Sequence, residues 1–173
     1  MNKAVFLDRD GTLNVDKGYL SQIADFEWLP GALAGLKRFH DLGYLLIVVT
    51  NQSGVARGYY TEEDVKRLHQ WMCADAAKAG VPITACYYCP YLPGAPVAAY
   101  DQDSDWRKPK PGMVLQALRD YDIDPAQSLM IGDKERDVAS GEAAGVKGYL
   151  FTGSNLDAFV QQILAERAGR ETV

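Results

Sequence analysis

Four short clusters in the chain combine carboxylates, hydroxyls, amides and cations at close spacing: "DRDGTLN" from Asp8, "TNQSG" from Thr50, "RKPKPG" from Arg107 and "GDKERD" from Gly132. Clustered carboxylates repel one another, so they either raise a pKa or hold a cation. Asp8 and Asp133, completed by water oxygens, suit Mg²⁺, a hard ion that keeps several waters and takes one or two carboxylates. A phosphate would complete that shell. Lys108, the Thr50 hydroxyl and backbone N–H groups after Leu7 would hold its remaining oxygens. With the phosphoryl charge neutralised in this way, an aspartate can approach it as nucleophile. Asp10, two residues on, can protonate the leaving oxygen and later deprotonate the attacking water. The chemistry these residue types share is phosphoryl transfer.

The clusters can act together only if the fold brings them to one place. "KAVFL", "YLLIVVT", "ITACYY", "SLMI" and "GYLF" are short apolar runs of the kind that form buried strands. Helical stretches alternate with them. Pro30-Gly31 opens one with Leu33, Leu36 and Phe39 on a face. Thr61, followed by three acids, caps a second whose inner face is Val65, Leu68 and Met72. Pro111 begins a third with Val114, Leu118 and Tyr121. A fourth surrounds Val138 and Ala143, and Leu156 to Ala168 closes the chain. Strand and helix in alternation predict an α/β fold: a doubly wound parallel sheet of about five strands with helices on both faces. Asn14 to Pro30 leaves room for a loop but for no large cap domain, and residues 1–173 read as one domain. Ligands of such sheets lie beyond the carboxyl ends of the strands. Each polar cluster follows a strand, so a central first strand flanked by the second and fourth would gather all four.

Taken singly, each piece has a plainer reading: Asp10-Gly11 as a turn, Thr50 or Asp133 as a cap, the Lys-Pro run as a solvated loop. Their recurrence at successive strand ends favours a site. A formal charge of −5 argues against nucleic acid or an anionic membrane as partner, and three cysteines do not make a disulfide framework. With no long apolar run and no signal-like start, the expectation is a reduced cytoplasmic monomer acting on a small molecule. No P-loop pattern supports a nucleotide-dependent kinase. His40 and His69 lie within helical stretches and suggest surface or packing roles.

"DRDGT", "TNQSG", "RKPKPG" and "GDKERD", in that order, resemble the haloacid-dehalogenase superfamily of aspartate-nucleophile phosphatases. Within it, "FLDRDGTLNVDKGY", "VVTNQSGVARG", "YYCP" and "WRKPKPG" are similar to the D-glycero-D-manno-heptose-1,7-bisphosphate 7-phosphatase family, over Ala4 to about Phe151. The resemblance implies Asp8 as nucleophile, Asp10 as general acid/base, and Thr50 and Lys108 on the phosphoryl group. It implies Mg²⁺ on Asp8, the Asp10 carbonyl and Asp133. It implies substrate contacts from Asp16, Lys17, Gly18 and Tyr19, from Asn51, Gln52 and Ser53, and from Arg107 and Lys134. The implied reaction removes the 7-phosphate of a heptose bisphosphate that feeds lipopolysaccharide or surface-glycan precursors. Arg57, Arg107 and Lys134 all fall in loops over the expected crevice. They would either bind a second phosphate or merely balance neighbouring acids.

Many relatives hold zinc in the loop that here runs from Cys89 to Arg107. The matching positions are Cys89, Tyr91, Ser104 and Trp106, one ligand where a structural zinc site needs four, so zinc is not expected. Cys86 lies within a strand and alternates with Cys89 across the pleat. The loop is expected to be ordered by Pro90, Pro93, Pro96, Tyr91 and Trp106, and to present Arg107 and Lys108. Competing readings are a histidinol-phosphate phosphatase, a polynucleotide 3′-phosphatase, which the acidity disfavours, and a phospho-accepting receiver domain. A receiver would carry its phosphorylated aspartate after the third strand, where Cys89-Pro90 stands here.

Overall fold

The computed structural model describes residues 1–171; the last two positions of the expected 1–173 domain lie outside the described residues. Ten regular elements alternate along the chain: β1 (Ala4–Leu7), α1 (Ala32–Asp41), β2 (Leu45–Asn51), α2 (Glu62–Lys78), β3 (Ala85–Cys89), α3 (Gly112–Asp120), β4 (Leu129–Gly132), α4 (Glu135–Ala143), β5 (Lys147–Leu150) and α5 (Leu156–Glu171). The strands form one parallel sheet in the order β3-β2-β1-β4-β5. Strand β1 is central, with Leu7 registered on Val48 of β2 and on Ile131 of β4. Crossovers to opposite sides of β1 put the switch point of strand order at its carboxyl end.

Alternation along the strands divides the core in two. Val5, Leu7, Leu46 and Val48 face one layer with Leu36 and Phe39 of α1, Met72 of α2 and Val160 of α5. Ala4, Phe6, Ile47 and Val49 face the other with Met113, Val114 and Ala117 of α3. Coverage on both faces explains why these strands are almost purely apolar. Helix α2 starts as its sequence dictates: the Thr61 hydroxyl accepts from the Asp64 N–H, and the Asp64 carboxylate accepts from the Thr61 N–H. Residues 15–31 carry only a 3-10 turn at Ile23–Asp25 and a bridge between Asn14 and Trp28, with no cap domain. Among the described residues no helix is long and apolar enough to cross a membrane.

Helix α4 contains Val138 and Ala143, as expected. Its buried face is Asp137, Ser140 and Gly141, while Val138 packs toward Gly148 of β5 and Ala143 is exposed. Close approach is the cause. A Cβ on Gly141 would press into Met130, and one on Gly132 would overlap the Asp137 side chain. Small residues let α4 lie directly on β4, which carries Asp137 under the end of β1. Gly132→Ala should therefore force α4 outward and cost about 1–3 kcal/mol of stability. Urea denaturation against the unsubstituted protein measures this, and an unchanged midpoint would contradict the close packing.

Candidate active site

Asp8 is the first residue beyond β1, and its backbone N–H donates to the Ile131 carbonyl of β4. The chain then turns sharply. Gly11 takes a left-handed conformation beneath the Asp133 carboxylate, where any Cβ would collide. This turn sends Asp8 and Asp10 into one cavity of about 350 Å³, together with Asp16, Gly18, Tyr19, Thr50, Asn51, Gln52, Ser53, Arg57, Arg107, Lys108 and Lys134. Of the expected substrate contacts, Lys17 is not brought in: its ammonium donates to the Asp25 carbonyl at 2.7 Å and stays on the surface. The turn that exposes it begins with Asp16, whose carboxylate accepts from the Gly18 N–H, and leaves Tyr19 in the left-handed region.

Lys108 is buried, and its ammonium donates to Asp8 at 2.7 Å, to the Val49 carbonyl at 2.8 Å, and pairs with Asp137 at 2.7 Å. The loop that delivers it is clamped by Asn51, whose amide oxygen accepts from the Lys108 N–H and whose amide nitrogen donates to the Lys108 carbonyl. Burial pushes Asp8 up to about 7; the Lys108 charge opposes this and Asp137 adds to it. Burial works against the Lys108 ammonium, but Asp8 and Asp137 outweigh it and hold the group above its usual value.

Asp10 is aimed by three donors. The Arg9 guanidinium donates to both its oxygens at 3.0 and 3.1 Å, Asn14 donates at 2.9 Å, and Gln52 at 3.1 Å. Gln52 is fixed in turn, donating to the Thr50 hydroxyl and accepting from Tyr60. Arg9 is fully buried and also donates to His69 of α2 at 3.0 Å. Burial and the Arg9 charge push His69 down to about 3, so the imidazole is neutral and accepts that bond. His69 thus has a packing role, orienting Arg9.

Sequence reasoning left out Arg9, Asn14, Tyr60, Arg136 and Asp137. Asp137 had a readable signal: it lies one helical turn after Asp133 at the end of "GDKERD". Oxygens of Asp8, Asp133 and Asp137 all lie within 4.8 Å of one another. Asp137 is already committed, one oxygen to Lys108 and the other to the Lys134 N–H. Asp8 retains an oxygen beyond its Lys108 bond and turns it toward Asp133, a contact that helps to raise the Asp8 pKa, while Asp133 also meets the Thr12 hydroxyl at 3.3 Å and Lys134 at 3.9 Å. Three carboxylates beside one buried ammonium leave a negative excess, and the oxygens left over are those that Asp8 and Asp133 turn toward each other. That donor set fits a hard divalent cation.

The loop from Pro90 to Pro111 is built by its own contacts. Tyr91 and Trp106 pack on the core layer beside α3, Leu92 N–H donates to the Tyr100 carbonyl, and Gly94 N–H donates to Asp101. Tyr88 and Tyr100 both donate to Glu62 at 2.7 Å, tying the loop to the first turn of α2. Cys89 is buried in the layer beside α3, while Cys86 packs on the opposite layer. Its sulfur neighbour is Cys73 of α2, at 3.7 Å.

A family model described as "HAD-hyrolase-like" matches residues 105–168. The D-glycero-beta-D-manno-heptose-1,7-bisphosphate 7-phosphatase of Haemophilus ducreyi is 52% identical over 146 residues, covering 84% of this chain and 80% of that protein. The D-glycero-alpha-D-manno-heptose-1,7-bisphosphate 7-phosphatase of Burkholderia mallei is 49% identical over 147 residues, covering 84% and 77%. Among solved structures, D,D-heptose 1.7-bisphosphate phosphatase from B. bronchiseptica, complexed with magnesium and phosphate, has a TM-score of 0.81 at 29% identity, covering 95% of this chain and 99% of that one.

The Asp8 environment makes a prediction about stability. In the fold Asp8 holds its proton up to about pH 7, against an ordinary value of 3.8. The unfolded chain releases that proton earlier, so stability is lost as pH rises between these two values. Asparagine does not titrate, and Lys108 keeps Asp137 when Asp8 is replaced. In metal-free buffer, the stability of Asp8→Asn relative to the native chain should therefore grow from about pH 4 to about pH 7, by roughly 2–4 kcal/mol. Urea titrations at intervals across that range measure the difference. A difference that stays constant would mean that Asp8 ionises normally.

Proposed function

The chain belongs to the heptose-1,7-bisphosphate 7-phosphatase family of the haloacid-dehalogenase superfamily, and on that premise we propose that it hydrolyses the 7-phosphate of D-glycero-D-manno-heptose 1,7-bisphosphate, for lipopolysaccharide or surface-glycan precursor synthesis. The phosphatases of this superfamily are Mg²⁺-dependent phosphoric monoester hydrolases that work through an aspartyl-phosphate. The observation that carries the substrate reading is the cavity itself. Its lining joins Asp8 on the buried Lys108 to the partly exposed Arg57 and Arg107, so one cavity offers a nucleophile together with further cations suited to a substrate with two phosphates.

In this reading Asp8 is the nucleophile, kept in line by Lys108 and by its place at the end of β1. Asp8, Asp133 and the Asp10 carbonyl would hold Mg²⁺, which when bound screens the repulsion between a carboxylate and phosphoryl oxygens. Lys108 and the Thr50 hydroxyl take the remaining phosphoryl oxygens. Asp10, aimed by Arg9, Asn14 and Gln52, gives its proton to the sugar oxygen as the bond to phosphorus breaks, then takes one from the water that releases Asp8. Asn51 keeps Lys108 in register. Asp16, Gly18, Tyr19, Gln52, Ser53 and Lys134 shape the sugar site, and Arg57 and Arg107 meet the second phosphate.

We read residues 1–173 as one phosphatase domain acting as a cytoplasmic monomer on a small molecule. The net charge of −5 opposes nucleic acid as substrate. The cofactor is Mg²⁺ alone. Tyr91 and Trp106 offer no zinc ligand, and Cys89 is packed in the core beside α3.

Phosphate release from the heptose bisphosphate, with and without Mg²⁺, tests the proposal. Turnover should require Mg²⁺, exceed that on histidinol phosphate, and fall by about three orders of magnitude or more in Asp8→Asn. Full activity in chelator, or substantial turnover by the variant, would overturn it.

A further inference from the structure

Arg136 has no role in the chemistry described so far, yet it lines the same cavity from the first turn of α4. Its charge reaches Arg107: burial lowers the Arg107 pKa, and the charges of Arg136 and Arg57 lower it further. Three guanidinium residues thus line one cavity, from the segments that follow β2, β3 and β4. Among the described residues none of the three is within ion-pair distance of a carboxylate. Arg107 donates only a long bond to the Tyr91 carbonyl, at 3.4 Å. Arg57 lies 5.5 Å from the Tyr19 ring centre, Tyr19 meets Tyr59 edge-on, and the buried Nε of Arg57 has no partner. Three unneutralised like charges are unfavourable in the free protein, and an anion between them removes that repulsion. Lys134 differs, because it leans toward Asp133 at 3.9 Å.

We infer that Arg136 is a specificity-determining residue, the third guanidinium of a clamp with Arg57 and Arg107 that reads the phosphate which is not cleaved. This rests on the bisphosphate reading above. The test compares kcat/KM for heptose 1,7-bisphosphate and heptose 7-phosphate, which share the scissile bond and differ only in the distal dianion. Arg136→Gln should reduce the preference for the bisphosphate by about ten- to a hundredfold, chiefly through KM. Arg136→Lys should restore part of it, and rising salt should weaken the native preference more than that of Arg136→Gln. A native enzyme that prefers the bisphosphate, with the same preference in Arg136→Gln, overturns the role of Arg136 alone. A native enzyme without that preference overturns the bisphosphate reading and this inference with it.

A different observation concerns Cys86, the first cysteine of the C-x-x-C stretch. Its thiol lies 3.7 Å from that of Cys73, joining α2 to the edge strand β3. Both residues are partly exposed, and Cys86 also borders a second cavity of about 520 Å³ beside Tyr88 and Trp106. The contact with Cys86 lowers the Cys73 pKa and favours its thiolate, while the same contact and burial raise Cys86, so Cys73 is the thiol that attacks first. We propose that Cys73 and Cys86 form a thiol-oxidation site that closes to an intramolecular disulfide with a low-molecular-weight disulfide as oxidant. The Cys73 thiolate attacks the reagent and releases one small thiol. Capping Cys73 removes the contact that raised Cys86; Cys86 then loses its proton to solvent and its sulfur displaces the second small thiol from the mixed disulfide, so two electrons pass to the reagent and two small thiols leave.

Incubating the folded protein with oxidised glutathione, then digesting it and mapping the peptides, tests this. A Cys73–Cys86 link should form, leaving Cys89 as the one free thiol of three, and the linked protein should melt roughly 5 °C higher. Cys73→Ser should abolish both changes. A stable mixed disulfide on Cys73, a link through Cys89, or no link would each overturn the proposal.

Discussion

The ammonium of Lys108 is the point on which the rest of the structure turns. It lies buried between Asp8 and Asp137 and also donates to the Val49 carbonyl, so one cation joins the ends of β1 and β2 to the first turn of α4. Two carboxylates brought this close beneath a sheet would repel each other without it, and removing one partner of such a buried pair typically costs about 3–5 kcal/mol. The surrounding packing serves this cation. Asn51 binds both backbone groups of Lys108, and Gly132 allows α4 to bring Asp137 within reach. The same arrangement leaves Asp8 with an oxygen to spare beside Asp133, so the structural ion pair and the metal-binding pair share a residue.

Around this centre charges of both signs meet. The chain is acidic overall, yet its cavity brings Arg57, Arg107 and Arg136 together with the buried Asp8 and the half-buried Asp10. Neither group is neutral on its own. Burial raises Asp8 and lowers Arg107, so both groups carry charge at a cost to the free protein that a cation and a doubly charged substrate would relieve. The fold accepts that cost because the two faces of the sheet are fully covered, with Phe6, Leu7, Leu46 and Ile47 all buried under helices.

The loop from Pro90 to Pro111 has to present Arg107 and Lys108 with some accuracy, and it does so by distributed contacts. Tyr91 and Trp106 anchor it on the core, and Tyr88 and Tyr100 grip the two oxygens of Glu62. Glu62 sits in the first turn of α2, beside the Thr61 cap, so the start of that helix also sets where the loop stands. Deeper along the same helix, His69 orients Arg9, which aims Asp10. One helix thereby supports both the residue proposed to move a proton and the loop that carries the phosphoryl-binding lysine.

What the sequence determined by itself is local or periodic. The apolar runs named the five strands, the alternation with helices named the parallel sheet, and the polar clusters at the carboxyl ends of "KAVFL", "YLLIVVT" and "SLMI" placed Asp8 and Asp133 just beyond β1 and β4 and Thr50 in the last residues of β2, because ligands of a parallel sheet meet it at the carboxyl ends of its strands. The cap at Thr61 was legible for the same reason, since its partners lie within four residues. Tertiary structure alone decided the pairings: Lys108 with Asp8 and Asp137, Arg9 with His69, Cys86 with Cys73 in place of Cys89, and the turn that takes Lys17 away from the cavity. Lys108 and Asp8 are 100 residues apart, and Arg9 and His69 are 60 apart. Contacts over such separations depend on how closely two elements approach, as where Gly132 lets α4 settle on β4, and spacing along the chain carries no record of that distance.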